Sequence, residues 1–303
     1  MPPRPHVTVL MAVRDGARYL PTQLESIAAQ ENVDWALWAS DDGSSDQSVA
    51  LLHAFAKRKP GHDIRILNGP RSGPSANFLS LLCRDDIPKG LIALADQDDK
   101  WFPGKLARAA DLIRDADGPP RLYGAHWVIA DQNLAPIAPS PRFNRPPSLE
   151  NALVQNIVSG HTTVLNSALR TIIRDVGPVS IPFHDWWIYQ LAAAVGAEVV
   201  LDPEPVLLYR QHDANVAGTK RGIGPGVKRV RGLLDGTLAG WMRQNIHALR
   251  KADAYLTRDA EHLLSALPGD GAISLSILRR TGLHRQTPGG TAALYLAAGF
   301  GRL

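Results

Sequence analysis

Cysteine is nearly absent: Cys83 stands alone in 303 residues. A lone thiol closes no internal disulfide and builds no cysteine-lined zinc cluster, which excludes disulfide scaffolds and zinc ribbons and suits a reducing compartment. Behind LSLL, Cys83 reads as a small core residue. Long hydrophobic runs are missing too. No window reaches the roughly 20 uninterrupted apolar residues of a membrane-spanning helix, and LIALA and LYLAAGF fall far short. The opening MPPRPHVTVLMAV runs from a short apolar stretch into a strand pattern without a cleavage site, so no signal peptide is expected. Charge of one sign is not in great excess, and a net +4 on this length by itself selects neither for nor against nucleic acid. There is no internal repeat and no low-complexity tract. What is present is a globular chain whose 45% hydrophobic content fills one or two cores, given domains of roughly 100–200 residues.

Short apolar runs alternate with helical spacing through the first half. VTVLMAV (7–13), WALWAS (35–40), IRIL (64–67) and LIALA (91–95) have strand length and apolar density. Between them, Leu20, Leu24, Ile27 and Ala28 share one helical face, as do Val49, Leu52 and Phe55, and Leu106, Ala109 and Ile113. In SSDQ, Ser44 and Gln47 stand at capping-box spacing for the second helix. The alternation predicts an α/β fold of βαβ units with a mainly parallel sheet flanked by helices. Ligands of such sheets bind beyond the carboxyl ends of the strands. Both acidic clusters, DDGSSD (41–46) and DQDD (96–99), fall at such ends. Residues 134–148 carry five prolines and read as a loop. Beyond them come a helix-like IYQLAAAVG and two short runs, EVVL (198–201) and VLLY (206–209). After about residue 218 the pattern is that of glycine-punctuated, basic helices.

ALADQDDKW sets Asp96, Asp98 and Asp99 directly after an apolar run. An EF-hand loop starting at Asp96 fails, because Lys100 takes its fifth position, Trp101 stands where glycine is required and Ala107 where the bidentate glutamate belongs. A solvated turn and an aspartyl nucleophile are two further readings. The third is a hard divalent metal: Asp96 and Asp98 alternate in a chain leaving a strand, and carboxylate oxygens suit magnesium or manganese, which keep positions open for phosphate oxygens.

DDGSSD followed by DQDD resembles the paired acidic signature of nucleotide-sugar glycosyltransferases of family 2, whose fold is GT-A. VTVLMAVRDGARYLPTQLESIAAQ, GPSANFLSLL, ADQDDKWFPGKL, NIVSGHTTVLN, HDWW and LLYRQHDANVAG resemble further family features in the same order, over roughly residues 6–218. The set QLESI, NF, ADQDD, HDWW and YRQH is most similar to bacterial rhamnosyltransferase-like members.

The resemblance implies a GT-A catalytic domain over 1–218, with a nucleotide-sugar half to about 130 and an acceptor half over 131–218, and a basic helical C-terminal region over 219–303. It implies that Asp41 and Asp42 contact the nucleotide base and ribose, that Asp96 and Asp98 form the metal motif with Asp96 also near the ribose, and that Asp99 holds the loop. Arg210 would reach a phosphate and His212 the metal or diphosphate. Asp185 in FHDWW matches the catalytic base; a glutamate often precedes it in the family, and His184 stands there in this chain. His161 and Thr162 would shape the acceptor pocket. Trp186 and Trp187 are read as core, with stacking on a sugar face open for one of them, and Lys105 as a solvated helix charge. Arg14 and Asp15 replace a usual tyrosine and asparagine.

The implied cofactors are Mn2+ or Mg2+ and a nucleotide-sugar donor, dTDP-L-rhamnose before a UDP-sugar. The implied partner is a saccharide or lipid-linked glycan acceptor, with no nucleic acid, in a bacterial enzyme of cell-surface polysaccharide synthesis that inverts the anomeric centre. A cytoplasmic location is expected. Lys220, Arg221, Lys228, Arg229 and Arg231 suit peripheral contact with anionic headgroups on the inner face of the cell membrane; a solvated helical cap is the alternative. Two other functional classes stand beside this reading. A sugar-phosphate nucleotidyltransferase normally carries a glycine-rich basic loop after its first strand, where MAVRDGARYL has one glycine, and a glycan-binding protein would use the same fold without turnover.

Overall fold

Strands with no polar interruption need cover on both faces, and the first half of the chain is organised to give it. In the computed structural model, which describes residues 4–113, 117–212, 236–269 and 271–303, the chain divides into two compact units. The first comprises Met1–Arg142, Val158–Val179 and Ala197–Gln211, the second Phe143–Ile157, Ser180–Gly196 and His212–Leu303.

The first unit carries the sheet. Its strands are β1 (His6–Val13), β2 (Asp34–Asp41), β3 (Ile64–Asn68), β4 (Leu91–Ala95), β5 (Lys100–Trp101), β6 (Arg121–Ala130), β7 (Pro136–Pro139), β8 (Val164–Leu165) and β9 (Glu198–Arg210). They order as β3-β2-β1-β4-β8-β6-β9-β5, with β7 on β6. β1 pairs in parallel with β2 and β4, as β2 does with β3 and β6 with β9; β8, β5 and β7 pair antiparallel. Helices α1 (Leu20–Ala28), α2 (Ser48–Arg58), α3 (Pro74–Leu82), α4 (Lys105–Ile113) and α6 (Ser167–Val176) belong to the same unit. Val7, Val9, Met11, Leu37 and Ala93 from the strands meet Leu20, Leu24, Ile27, Leu52, Phe55, Leu106 and Ile113 from α1, α2 and α4 in one apolar cluster. Each fully buried aliphatic or phenylalanine side chain there contributes about 1.5–3 kcal/mol.

The second unit is helical. It contains α5 (Leu149–Ala152), α7 (His184–Ala194) and, in the C-terminal region, the helices Thr237–Leu249, Arg258–Ser265, Leu275–Thr281 and Pro288–Gly299. Trp186 and Trp187 are both buried, and Trp186 donates its indole N–H to the Ala152 carbonyl. Both tryptophans therefore serve the core. Lys220, Arg221, Lys228, Arg229 and Arg231 lie outside the described residues. No helix among the described residues is long and apolar enough to cross a membrane.

Three local expectations change. Ser44 and Gln47 form no capping box: α2 begins at Ser48, whose N–H and hydroxyl both donate to Asp46, a stronger acceptor than the Ser44 hydroxyl, which takes the Asp15 N–H instead. The proline-rich 134–148 segment holds β7, since an edge position asks few N–H groups of a strand. EVVL and VLLY are the two ends of one strand, β9, which accommodates Pro203 and Pro205 where its register to β6 shifts.

Asp202 on β9 fastens this part of the sheet. Its enclosed carboxylate accepts from Arg108 (2.7 Å), from the Tyr123 hydroxyl (2.8 Å) and from the Glu204 N–H (3.1 Å). Burial works to raise its pKa, but the hydrogen bonds from Arg108, Glu204 and Tyr123 outweigh it and the net value lies below the ordinary carboxylate range. A depressed folded-state pKa stabilises the fold above the unfolded value, about 4, and that contribution is lost as pH falls through the folded value. Asp202→Asn is expected to lower Tm at pH 7 and to flatten the loss of Tm between about pH 4 and pH 2; parallel melting curves for both proteins over that range would contradict it.

Candidate active site

The pairing of β1 brings three chain exits together. Val13 lies opposite Asp41, and Met11 opposite Ala95, so the loops beginning at Arg14, Asp42 and Asp96 leave the same edge of the sheet. Antiparallel β8 runs the other way: Ala93 pairs with Val164 and the Leu94 N–H donates to the Thr163 carbonyl, which carries His161 to the side of Asp96. β9 pairs antiparallel with β5, Lys100 against Leu208, and brings Arg210 beside Asp98.

At the β2 exit the carboxylates build loops. Asp41 accepts from the N–H groups of Gly43 and Ser44. Asp42, 3% exposed, accepts from Arg71 N–H at 2.7 Å and Gly73 N–H at 2.8 Å, and so shapes the loop after β3. Gly69 is required there, because a Cβ would stand 2.9 Å from the Asp41 carbonyl and from the side-chain oxygens of Asp42 and Asn77. Asn77 clasps Ser40 twice, accepting from its hydroxyl and donating to its carbonyl.

The β1 exit is laced to both neighbours. Asp15, with φ 48°, accepts from the Ser45 N–H and hydroxyl, which hold its carboxylate below the usual range; aspartate tolerates this left-handed backbone better than most residues. Gly16 N–H donates to Ser48 and Ala17 N–H to Asp46. Gln97 pairs with the Arg14 peptide as a second strand would, its carbonyl taking the N–H and its amide giving to the carbonyl, each at 2.9 Å. A Cβ on Gly16 would meet the Gln97 carbonyl oxygen at 2.4 Å.

At the β4 exit, Asp96 and Asp98 are half-buried and Asp99 is fully enclosed. Asp99 accepts the Arg210 N–H through Oδ1, while Oδ2 has no hydrogen-bond partner. Burial first, then the nearby Asp98 and Asp96, push its carboxyl well above the ordinary range. His161 lies 3.9 Å from Asp96 through Nδ1, stacks on Tyr209 and receives Trp127 edge to face. Burial, reinforced by Lys105, lowers its pKa to about 3, so the ring is neutral. Ligand atoms of Asp96, Asp99 and His161 fall within 4.8 Å of one another. These donors fit a divalent cation: carboxylate oxygens suit magnesium or manganese, and a neutral imidazole suits manganese.

Arg210 is buried, with its guanidinium donating to the carbonyls of Asp98 and Gln132 and lying over the Tyr19 ring. Lys105 is not a solvated helix charge: it is 1% exposed, directed at the His161 carbonyl, because α4 begins right at the acidic loop and turns that side chain inward. Gln97 and Lys105 are the site residues whose roles sequence reasoning missed. The signal for Gln97 was an amide set between two carboxylates, able to give and accept where they only accept. In the second unit, Asp185 stands in the first turn of α7 and accepts the Trp186 N–H at 2.8 Å. Phe183, at the start of the same helix, packs edge to face on Trp241 from the C-terminal region. His212 follows β9 by two residues and is half-buried.

Residues 8–176, more than half of the chain, match the family described as Glycosyl transferase family 2. The chain belongs to that family and is a glycosyltransferase. Among its relatives, the dTDP-rhamnosyl transferase RfbG of Shigella flexneri is 26% identical over 249 residues, which cover 80% of this chain and 84% of RfbG. Two solved structures are similar in fold. S. aureus TarS in complex with UDP-GlcNAc matches with a TM-score of 0.54 at 16% identity, covering 86% of each chain. The mannosyltransferase PcManGT from Pyrobaculum calidifontis, in complex with GDP-Man and Mn2+, matches with a TM-score of 0.53 at 17% identity, covering 99% of this chain and 88% of that one. The fold is GT-A: a mixed sheet flanked by helices, followed by a helical C-terminal region.

Asp42→Asn replaces one of two buried acceptors by an amide N–H that faces a backbone N–H. A loss of about 1–3 kcal/mol is expected for a donor left unsatisfied, read as a lower denaturation midpoint with an unchanged m-value. A midpoint equal to wild type would show that the loop after β3 holds itself.

Proposed function

We propose that this glycosyltransferase moves L-rhamnose from dTDP-L-rhamnose onto a saccharide or lipid-linked glycan acceptor of the bacterial cell surface, with inversion at the anomeric carbon. The observation that carries the donor is the similarity to RfbG along most of both chains. The reaction class is supported by the meeting of the β1, β2 and β4 exits at one sheet edge, with carboxylates on all three loops.

In this reading the loops shaped by Asp41 and Asp42 receive the nucleoside. Asp96 and Asp98 would hold a divalent cation, with Asp99 and His161 the further donors available; when bound, the cation supplies neutralising charge to the diphosphate leaving group. Asp185 takes the proton of the acceptor hydroxyl as that oxygen attacks the anomeric carbon opposite the leaving group, which inverts configuration. It stands in the first turn of α7. His184 beside it is held in the neutral form by burial, against the pull of Asp185, so it adds no second negative charge where relatives place a glutamate. The five cations of residues 220–231 would attach the enzyme to the inner face of the membrane, close to lipid-linked acceptors.

Titration calorimetry with dTDP, UDP and GDP, with and without Mn2+, tests the donor and the metal together. The expected result is Mn2+-dependent binding of dTDP above UDP and GDP, weakened by Asp98→Asn. Preference for UDP or GDP would replace the donor, and equal binding with and without metal would remove the cation. Asp185→Asn should leave the dTDP Kd within about twofold while lowering transfer by about 10²- to 10⁴-fold, the usual contribution of a general base; normal turnover in that variant would take Asp185 out of the mechanism.

A further inference from the structure

The acidic motif encloses a carboxyl group that its own loop leaves half-satisfied. Asp99 is fully buried, with one oxygen on the Arg210 N–H and Oδ2 without a hydrogen-bond partner. Arg210 gives Asp99 its backbone N–H, while its guanidinium donates to the Asp98 and Gln132 carbonyls, covers Tyr19 and adds positive charge near Asp99. A carboxylate so enclosed is costly unless a cation stands near it.

Lys105 is the buried amine of the same site. Its side chain is as buried as Asp99, its Nζ donates to the His161 carbonyl at 2.6 Å, and it lies 3.2 Å from the centre of the Trp101 ring. The indole face favours an ammonium over a neutral amine. His161, held by Lys105 through its backbone, is also the residue whose side chain groups with Asp96 and Asp99. One lysine therefore reaches the turn that abuts both carboxylates. We propose that Lys105 is the resident counter-cation of the Asp96–Asp99 motif, a positioning residue that holds the acidic loop and the Gly160–Thr162 turn together without a divalent ion. Burial drives Asp99 and Lys105 toward their neutral forms, and their mutual attraction opposes it in both. The inference concerns the same site as the proposed function, but its central test needs neither metal nor donor.

The test is a double-mutant cycle on the full chain by thermal melting in EDTA, with Lys105→Met, Asp99→Asn and both together. Methionine keeps most of the aliphatic stem over Trp101 and removes the charge. The expected result is a lowered Tm for Lys105→Met and a double variant that melts at least about 3 °C above it, a shift that coupled neighbours can reach in a domain of this size. Additive losses would overturn the proposal, since a lysine that only packs and anchors a carbonyl gains nothing from the loss of Asp99. If Lys105→Met yields no folded protein, recovery of a folded double variant supports the proposal and an equally defective one overturns it. Adding Mn2+ separates this from the metal reading: a non-additive cycle in which Mn2+ raises no Tm keeps the role of Lys105 and counts against the cation in the proposed function.

Discussion

The parallel pairing of β1 with both β2 and β4 is the constraint on which the site depends. Parallel neighbours put all three carboxyl ends on one edge, and each exit must turn away with backbone N–H groups that have left the ladder. Buried backbone donors need acceptors. The sequence meets that need with short acidic and amide side chains at the turns: Asp41 and Asp42 after β2, Asp15 after β1, Gln97 after β4. An acidic edge in this fold is thus first a solution to a backbone problem, and the chemistry of the site is built on what that solution leaves over.

The division of labour among the carboxylates follows. Asp15, Asp42 and Asp46 each accept two or more hydrogen bonds from loop N–H or hydroxyl groups, which ties the first loop to the second and the second to the third. Those residues act through the loops they shape. Asp99 is enclosed behind them, and its place is kept by Arg210 from β9 and by the buried surroundings it shares with Lys105. Asp96 and Asp98 stand half-buried at the front of the same motif, where a ligand can meet them. Four consecutive residues thus fill three different roles because β4 ends at Ala95 and the chain bends through them before β5 begins at Lys100.

Periodicity made the sheet of the first unit legible, because its strands are apolar runs bounded by polar turns. The ends and edges were less so. SSDQ has the spacing of a capping box, yet the competition between Ser44 and Asp46 for the first turn of α2 is decided by the Asp15 N–H, a group 29 residues away in the chain. β7 hides among prolines because an edge strand tolerates them. Lys105 read as surface because lysine is rarely enclosed; what encloses it is Trp101 on one side and the His161 carbonyl, 56 residues on, at its tip. Asp41, Asp42, Asp96, Asp98 and Arg210 are named from the family resemblance of the segments that carry them. Gln97 could not be sorted from its neighbours, since its role depends on the Arg14 peptide that the parallel pairing of β1 sets beside it.

His184 and Asp185 show how one departure from a family pattern can be absorbed. A glutamate before the proposed base would place a second negative charge beside it. The imidazole that replaces it here is buried and therefore uncharged near neutral pH. It neither repels the carboxylate of Asp185 as a glutamate would nor draws it into an ion pair as an imidazolium would. Asp185 itself accepts the Trp186 N–H in the first turn of α7. A buried, neutral ring at 184 thus brings no charge to the first turn of α7, which is why histidine is admissible there.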